Sequence, residues 1–338
     1  MSAELKTAGS AQTSVGRSTA WFPLLRSVSR SFYLSVRYLP GRIQPPILLG
    51  YLLARAADTI ADTSHLPATD RLHLVRTLRR SFFEPPAELL VLLPPAVQAQ
   101  SGGGEKVLLN HIPELLAAAN GLATAQKPLL ADLLTKITRG QQLDLERFEL
   151  DPGIAALRSA EELDEYTYLV AGSVGEFWTK LGWLAWKNYS RLPEAESVRL
   201  GILFGQGLQL INVLRDFASD VKLGRSYLPV SDPAALKTDL NQARPLFDLW
   251  LKKAWENMHA AWIYVAAVRP IRVRFACAVP VLIGIKTLEL LDRPGPIPVG
   301  AKISRDQVRR CIATALRVAI SPGTASSIWD GDRWCKLV

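Results

Sequence analysis

Two stretches of this chain place carboxylates where an apolar helix does not ordinarily keep them. Tyr51 to Asp62, YLLARAADTIAD, is mostly apolar yet carries Arg55, Asp58 and Asp62. At a turn of about 100° per residue, Tyr51, Arg55, Asp58 and Asp62 fall on one narrow stripe. Two carboxylates one turn apart on an apolar wall repel each other unless a cation sits between them. Hard oxygen donors of this kind suit Mg²⁺, which takes one or two carboxylates and leaves its other positions to water and phosphate. A lone DxxxD also fits a solvated helix face. Gln209 to Asp220, QLINVLRDFASD, supplies a second copy, with Gln209, Asn212, Asp216 and Asp220 on one stripe. Two acidic stripes on two apolar helices, far apart in sequence, are hard to read as solvated faces. Facing each other, they make a cage for divalent ions. Arg55, Arg215, Lys222 and Arg225 flank them, and arginine forks match phosphate oxygens. Carboxylates for metal and arginines for phosphate describe a diphosphate site.

Three further stretches have residue types that carry chemistry. Ser29 to Phe32, SRSF, precedes an apolar helix, so Arg30 and Ser31 either bind phosphate at the helix start or form an ordinary N-cap. ITRGQQLDL places Gln141, Gln142 and Asp144 in an apolar helix, where they line a cavity or face water. YTYLVAGSVG sets Gly172 and Gly175 inside a helix, at a cost of about 1 kcal/mol each relative to Ala. Such a helix lets another helix or a ligand approach closely. Tyr166 shares its stripe with Val170, Ser173 and Phe177.

The elements that position these residues read as helices almost throughout, broken by Pro and Gly. The pattern predicts helices at 22–38, 44–63, 68–82, 106–120, 123–148, 160–188, 194–220, 242–267, 271–292 and 304–318. Loops are expected at Leu93 to Gly104, Asp151 to Gly153, Gly224 to Pro233 and Asp292 to Gly300. The chain has 338 residues, 49% of them hydrophobic, ample for a large core. One all-α domain over 21–320 is the simplest organisation, with a polar leader at 1–20 and a tail at 321–338. Neither a signal peptide nor a run of about 18 uncharged apolar residues is evident, so no membrane span and no tail anchor are expected.

Net charge is +9, which favours an anionic partner. The basic residues are scattered without a nucleic-acid motif, so no nucleic acid is expected. Cys277, Cys311 and Cys335 are odd in number and lack metal-ligand spacing, which points to a reducing compartment. His65, His73, His111 and His259 show no zinc spacing. The tryptophans read as core or interface anchors.

From about residue 22 to 318 the chain resembles the squalene and phytoene synthases, the head-to-head isoprenoid synthases. The resemblance rests on SRSF, YLLARAADTIAD, YTYLVAGSVG, QLINVLRDFASD and GRSYLP, in that order. It implies an all-α fold of helices around a central hydrophobic cavity. Asp58, Asp62, Asp216 and Asp220, with Asn212, would hold Mg²⁺ bridging substrate diphosphates. Ser31, Tyr51, Arg55, Arg215 and Arg225 would hold diphosphate oxygens, with Gln209 in the same polar site. Tyr166 would lie beside the reacting carbons. One departure is Ser219, where eukaryotic squalene synthases carry an acidic residue; the DxxxD itself is complete.

FACAVPVLIGIKTLELL and GAKISRDQV look more like squalene than phytoene synthases. The implied reaction joins two farnesyl diphosphates through a cyclopropyl diphosphate and reduces it with NADPH, in sterol or hopanoid biosynthesis. Lys302 and Arg305, after the Pro- and Gly-rich loop, are the nearest candidates for the cofactor's phosphates. The alternatives are a phytoene, dehydrosqualene or hydroxysqualene synthase, or a non-catalytic assembly or lipid-binding relative. A cytoplasmic monomer, peripheral on the inner face of a membrane, completes the expectation.

Overall fold

A computed structural model describes residues 20–29, 31–149, 155–321, 329–330 and 333–334. The leader, Arg30, the expected loop at Asp151 to Gly153, Cys335 and the side chain of Ser31 lie outside the described residues. Fourteen α-helices appear among the described residues, with two short two-stranded pairings. In chain order they are α1 (Phe22–Val28), α2 (Ser31–Arg37), α3 (Gln44–Ala61), α4 (Ala68–Arg80), α5 (Ala87–Ala99), α6 (Gly103–Asn110) and α7 (Ile112–Asn120). Then come α8 (Lys127–Phe148), α9 (Ala160–Thr167), α10 (Ser173–Ala185), α11 (Glu194–Lys222), α12 (Arg244–Ala267), α13 (Ile271–Leu291) and α14 (Arg305–Ile320).

α11 is the central element, packed by α10, α12 and α13. Among the described residues it alone is long and apolar enough to cross a membrane. Its neighbours bury half of that apolar stretch, as they would for the core helix of a bundle. Glycines set the spacing between α11 and α10. A Cβ on Gly175 would stand 1.8 Å from the Gly201 carbonyl oxygen, and one on Gly205 2.1 Å from that of Ala171. The glycine-rich stretch therefore serves helix packing, one of its two readings. Tyr168–Gly172 forms a π-helical turn between α9 and α10. Its wider turn breaks the straight stripe expected from Tyr166 to Phe177.

Two other expectations differ. The helix foreseen at 22–38 divides at Ser29, whose hydroxyl accepts from the Phe32 N–H at 3.2 Å and caps α2. The loop foreseen at 93–104 is helical as far as Ala99, with Pro94 and Pro95 inside α5. Both prolines are exposed while Leu93 and Ala96 are buried, so the backbone carbonyls that lose a partner to proline are left to water. α14 begins as its sequence specifies, with a capping box between Ser304 and Gln307.

Two devices fix the ends nearest the acidic residues. Arg71 on α4 is buried and donates to Ala61 O at 2.7 Å and Leu66 O at 3.1 Å, and it pairs with Glu149 at 2.9 Å. Its guanidinium thus holds the C-terminus of α3. After α11, Gly224 takes φ +86°, a turn that side chains disfavour. It launches β2 (Arg225–Ser226), which pairs in parallel with β1 (Ala155–Ala156).

Candidate active site

The stripe on α3 forms as its spacing requires. Tyr51 stacks on Phe32, with ring centroids 4.7 Å apart, and its hydroxyl donates to Val28 O at 3.4 Å. Burial pushes its phenol up. Arg55 pairs with Asp58 at 2.5 Å and with Glu105 at 3.4 Å, while its buried Nε has no partner. Gln141 on α8 donates to the other Asp58 oxygen at 3.3 Å. Asp62 caps the helix and keeps one edge open to solvent. Burial of its inner side, then the Asp58 charge, raises its carboxyl to about 6, with Arg225, Arg55 and Arg71 pulling the other way.

On α11, Arg215 grips Asp216 through a fork of 2.9 and 2.5 Å, and Asn212 donates to Gln209 at 3.3 Å. Asp220 is buried and accepts from Arg225 Nε at 2.9 Å. Burial raises its carboxyl and Arg225 opposes the rise. Ser219 turns away and bonds back to Asp216 O at 2.7 Å.

Arg225 links the two acidic helices electrostatically, pairing with Asp220 and acting by its charge on Asp62. Its charge acts on Asp62, Asp144 and Asp220 alike, and its guanidinium sits 5.8 Å from the Tyr227 ring centre. Tyr227 donates to Asp144 at 2.5 Å and stacks on Tyr166, with centroids 4.8 Å apart and planes 28° from parallel. Asp144 rises to about 6, through burial first, with the charges of Asp62 and Asp220 adding to the rise. Burial, then Asp144, pushes the Tyr166 phenol far up, so it holds its proton at any working pH. Asp144 and Tyr227 are site residues that periodicity alone did not select. The available signals were the spacing of Asp144 one turn beyond Gln141 and the tyrosine inside GRSYLP. Gln142, equally placed on paper, bonds to Glu146 at 2.7 Å instead.

This donor set fits a hard divalent cation. Asp62, Asp144 and Asp220 all have raised carboxyls although Arg225 acts on each of them, with Arg55 and Arg71 also acting on Asp62 and Arg215 on Asp220. No three carboxylate, imidazole or thiol groups among the described residues converge on one point. A Mg²⁺ ion here would take one or two of these carboxylates and fill its other positions with phosphate oxygens and water. Other expected residues stand apart. Lys302 and Arg305 are exposed, and no hydrogen bond or ion pair among the described residues joins them to the carboxylates. Lys302 borders a surface hollow of about 350 Å³ with Arg293 and the prolines of 294–298. Hydrogen bonds from Arg244 to Gly295 O and from the Ile297 N–H to Asn241 anchor that loop.

Several apolar side chains packed against the core stay partly exposed. They include Ala54 on α3, Val170 and Val174 by the π-helical turn, Leu208 on α11, and Val279 and Ile283 on α13.

Helices around an apolar interior, with a carboxylate–arginine cluster at one end, define an all-α isoprenoid synthase. Structural comparison agrees. The fold matches ligand-bound TcSQS with a TM-score of 0.70 at 20% identity, covering 93% of this chain and 92% of that one. It matches a ligand-bound dehydrosqualene synthase with a TM-score of 0.62 at 20% identity, covering 92% and 99%. Residues 25–314 match the squalene/phytoene synthase family, and the chain belongs to that family.

Among relatives, a squalene synthase of Mycosarcoma maydis is 25% identical over 306 residues, covering 82% of this chain and 51% of that protein. A bifunctional lycopene cyclase/phytoene synthase of Gibberella fujikuroi is 29% identical over 214 residues, covering 62% of this chain and 34% of that protein. The chain spans about half of the Mycosarcoma maydis protein and 57–61% of three other squalene synthases.

Proposed function

We propose that this chain is a squalene synthase, with residues 21–320 as its catalytic domain. It would condense two farnesyl diphosphates head-to-head into a cyclopropyl diphosphate and reduce that with NADPH. The observation that carries the reading is Arg225, which pairs with Asp220 and acts by its charge on Asp62, beside the buried Tyr166–Tyr227 stack. Squalene synthases match 80–84% of this chain, which favours that branch. The second reading, a phytoene or dehydrosqualene synthase, draws on the higher identity of the phytoene synthase relative over its shorter match and on the dehydrosqualene synthase fold match.

Mg²⁺ held by Asp58, Asp62, Asp216 and Asp220, with Asn212, would supply Lewis acidity to the leaving diphosphate. Arg55, Arg215 and Arg225 already pair with site carboxylates. Bringing diphosphate and cations together lets each guanidinium turn from its aspartate to a phosphate oxygen, so no buried charge is left alone. Ser31, Tyr51 and Gln209 would complete the polar wall. Tyr166, always protonated, can donate a hydrogen bond but cannot act as a base at neutral pH. The apolar interior excludes water from the allylic cation. Lys302 and Arg305, with Arg293, would take the phosphates of NADPH at the surface hollow.

Incubating the protein with farnesyl or geranylgeranyl diphosphate and Mg²⁺, with and without deuterated NADPH, tests the reading. Squalene carrying one deuterium is expected. A full yield of hydrocarbon with no NADPH consumed would move the chain to the dehydrosqualene or phytoene branch.

A further inference from the structure

The bundle's far end has a different chemistry from the carboxylate end. α11 is 29 residues long, so at about 1.5 Å per residue its ends lie some 40 Å apart. Asp216 and Asp220 mark one end. At the other, four chain segments gather around the buried guanidinium of Arg274. It donates to Val268 O at 2.7 Å, Ala319 O at 2.8 Å and Arg269 O at 3.1 Å, joining the α12–α13 turn to the end of α14. Arg269 N–H donates to Tyr189 O at 2.8 Å and Arg191 N–H to Ala267 O at 2.9 Å, which adds the segment after α10. Arg42 reaches Ala185 O at 3.3 Å, and Tyr38 meets the Phe275 ring edge-on at 6.5 Å, which adds the segment after α2.

All four segments lie in runs without Asp or Glu, at 22–57, 177–193, 257–288 and 307–329. Arg42, Arg191, Arg269, Arg272 and Arg317 are exposed here, and none forms an ion pair with a carboxylate among the described residues; Arg191 and Arg269 donate instead to Ala266 O at 2.7 Å and Ser190 O at 3.3 Å. The acids nearest in the chain are Glu194 and Glu196 in the first turn of α11, and Glu196 is taken by Arg199 at 2.7 Å. The same segments also carry apolar side chains open to solvent: Leu184 at 48% exposure, Ile271 at 56%, Leu316 at 54% and Ile320 at 67%. Trp183 and Trp186 are half-buried beside them. Exposed arginines without a carboxylate partner among the described residues, on the same segments as exposed aliphatic side chains and half-buried tryptophans, match a bilayer interface, where anionic headgroups meet acyl chains.

We propose that this end docks on an anionic lipid bilayer, with Arg269, Arg272 and Arg317 on headgroups and Ile271, Leu316 and Ile320 below them. The choice of lipid over other polyanions rests partly on the proposed function, because a hydrocarbon product has to leave into an apolar phase. The carboxylate end then faces the water that carries the diphosphate substrates.

The test is flotation of the purified full chain, without substrate, on phosphatidylcholine vesicles with and without phosphatidylglycerol. Binding is expected only to the anionic vesicles, weakened by salt. At roughly fivefold per cation, Arg269→Glu, Arg272→Glu and Arg317→Glu combined should weaken binding about a hundredfold or more while farnesyl diphosphate turnover in detergent persists. A control with the same charge change elsewhere, Lys106→Glu, Lys237→Glu and Lys252→Glu, should lose far less. Arg317→Glu alone, checked by circular dichroism, repeats the test if the triple variant misfolds. Wild-type binding by the triple variant would overturn the proposal. So would equal losses in the control, equally tight binding to duplex DNA, or a dimer in which this end is buried. Because binding is read without turnover, an inactive protein that floats leaves this proposal standing and counts only against the proposed function.

Discussion

The two ends of the bundle use arginine in opposite ways. At the carboxylate end Arg55, Arg215 and Arg225 each pair with an aspartate, and Arg71 caps α3. At the far end Arg42, Arg191, Arg269, Arg272 and Arg317 are exposed and form no ion pair among the described residues. Arginine content alone therefore says little about function. What matters is whether the acid that would neutralise each cation is within reach. Where acids outnumber the arginines that serve them, the surplus awaits a cation. Where they are missing, the surplus awaits an anion.

The comparison breaks most sharply at the aspartates. Asp58→Asn or Asp216→Asn should lower turnover about a thousandfold or more, the scale of losing charge stabilisation at a leaving group. Vesicle flotation and the helical circular dichroism spectrum should stay unchanged. Activity within tenfold of wild type in both variants would dissolve the distinction between the two ends.

Next in size is the aromatic stack. Tyr166→Phe keeps the ring against Tyr227 and removes a hydroxyl that cannot ionise. A loss of about a hundredfold is expected if that hydroxyl orders the reacting diphosphate, and an unchanged rate would reduce Tyr166 to packing. Tyr227→Phe should act differently. It strips the hydrogen bond from Asp144, whose carboxyl should rise further, so the acid limb of the pH–rate profile should move up while the plateau rate changes by less than the Tyr166→Phe loss.

pH sharpens the contrast further, because the carboxylate end titrates in a range where arginines do not. Asp62 and Asp144 stand at about 6 in the fold, against ordinary values near 4. Both hold protons more tightly folded than unfolded. Their contribution to stability is therefore fully present below about pH 4 and is lost as pH rises through 6. Between pH 7 and 5 these two groups should add stability to the metal-free protein, while Mg²⁺ affinity should fall as the ligands protonate. A melting series and a Mg²⁺ titration across that range should slope in opposite directions. Parallel slopes would mean that the raised carboxyls lie outside the cation site.

Much of this was legible in the chain. An Asp on an apolar helix is rare enough that two DxxxD stripes identify themselves, and α3 and α11 bear those stripes, although of the four aspartates only Asp220 is buried. Asp144 was not separable from Gln142, because α8 carries polar residues around much of its circumference and either position fits the site or the surface. Only the fold shows that Tyr227 reaches one and Glu146 the other. The π-helical turn at Tyr168–Gly172 has no periodic signature, since it is one wide turn within a helical run. The prolines of α5 read as a breaker, because their solvent-facing side depends on packing. The basic end was invisible for another reason. Its members come from four segments far apart in sequence, each of which alone looks like scattered surface charge.

The central claim is that the acidic stripes of α3 and α11 are one site rather than two. A double-mutant cycle on Mg²⁺-dependent binding of an unreactive farnesyl thiodiphosphate, read by calorimetry, tests it directly. Asp62→Asn, Asp220→Asn and the double variant close the cycle. The account predicts that the losses do not add, with a coupling of about 0.5–3 kcal/mol between groups that share Arg225 and the bound cations. Losses that add within about 0.3–0.5 kcal/mol would mean that the two stripes bind independently, and would contradict the account.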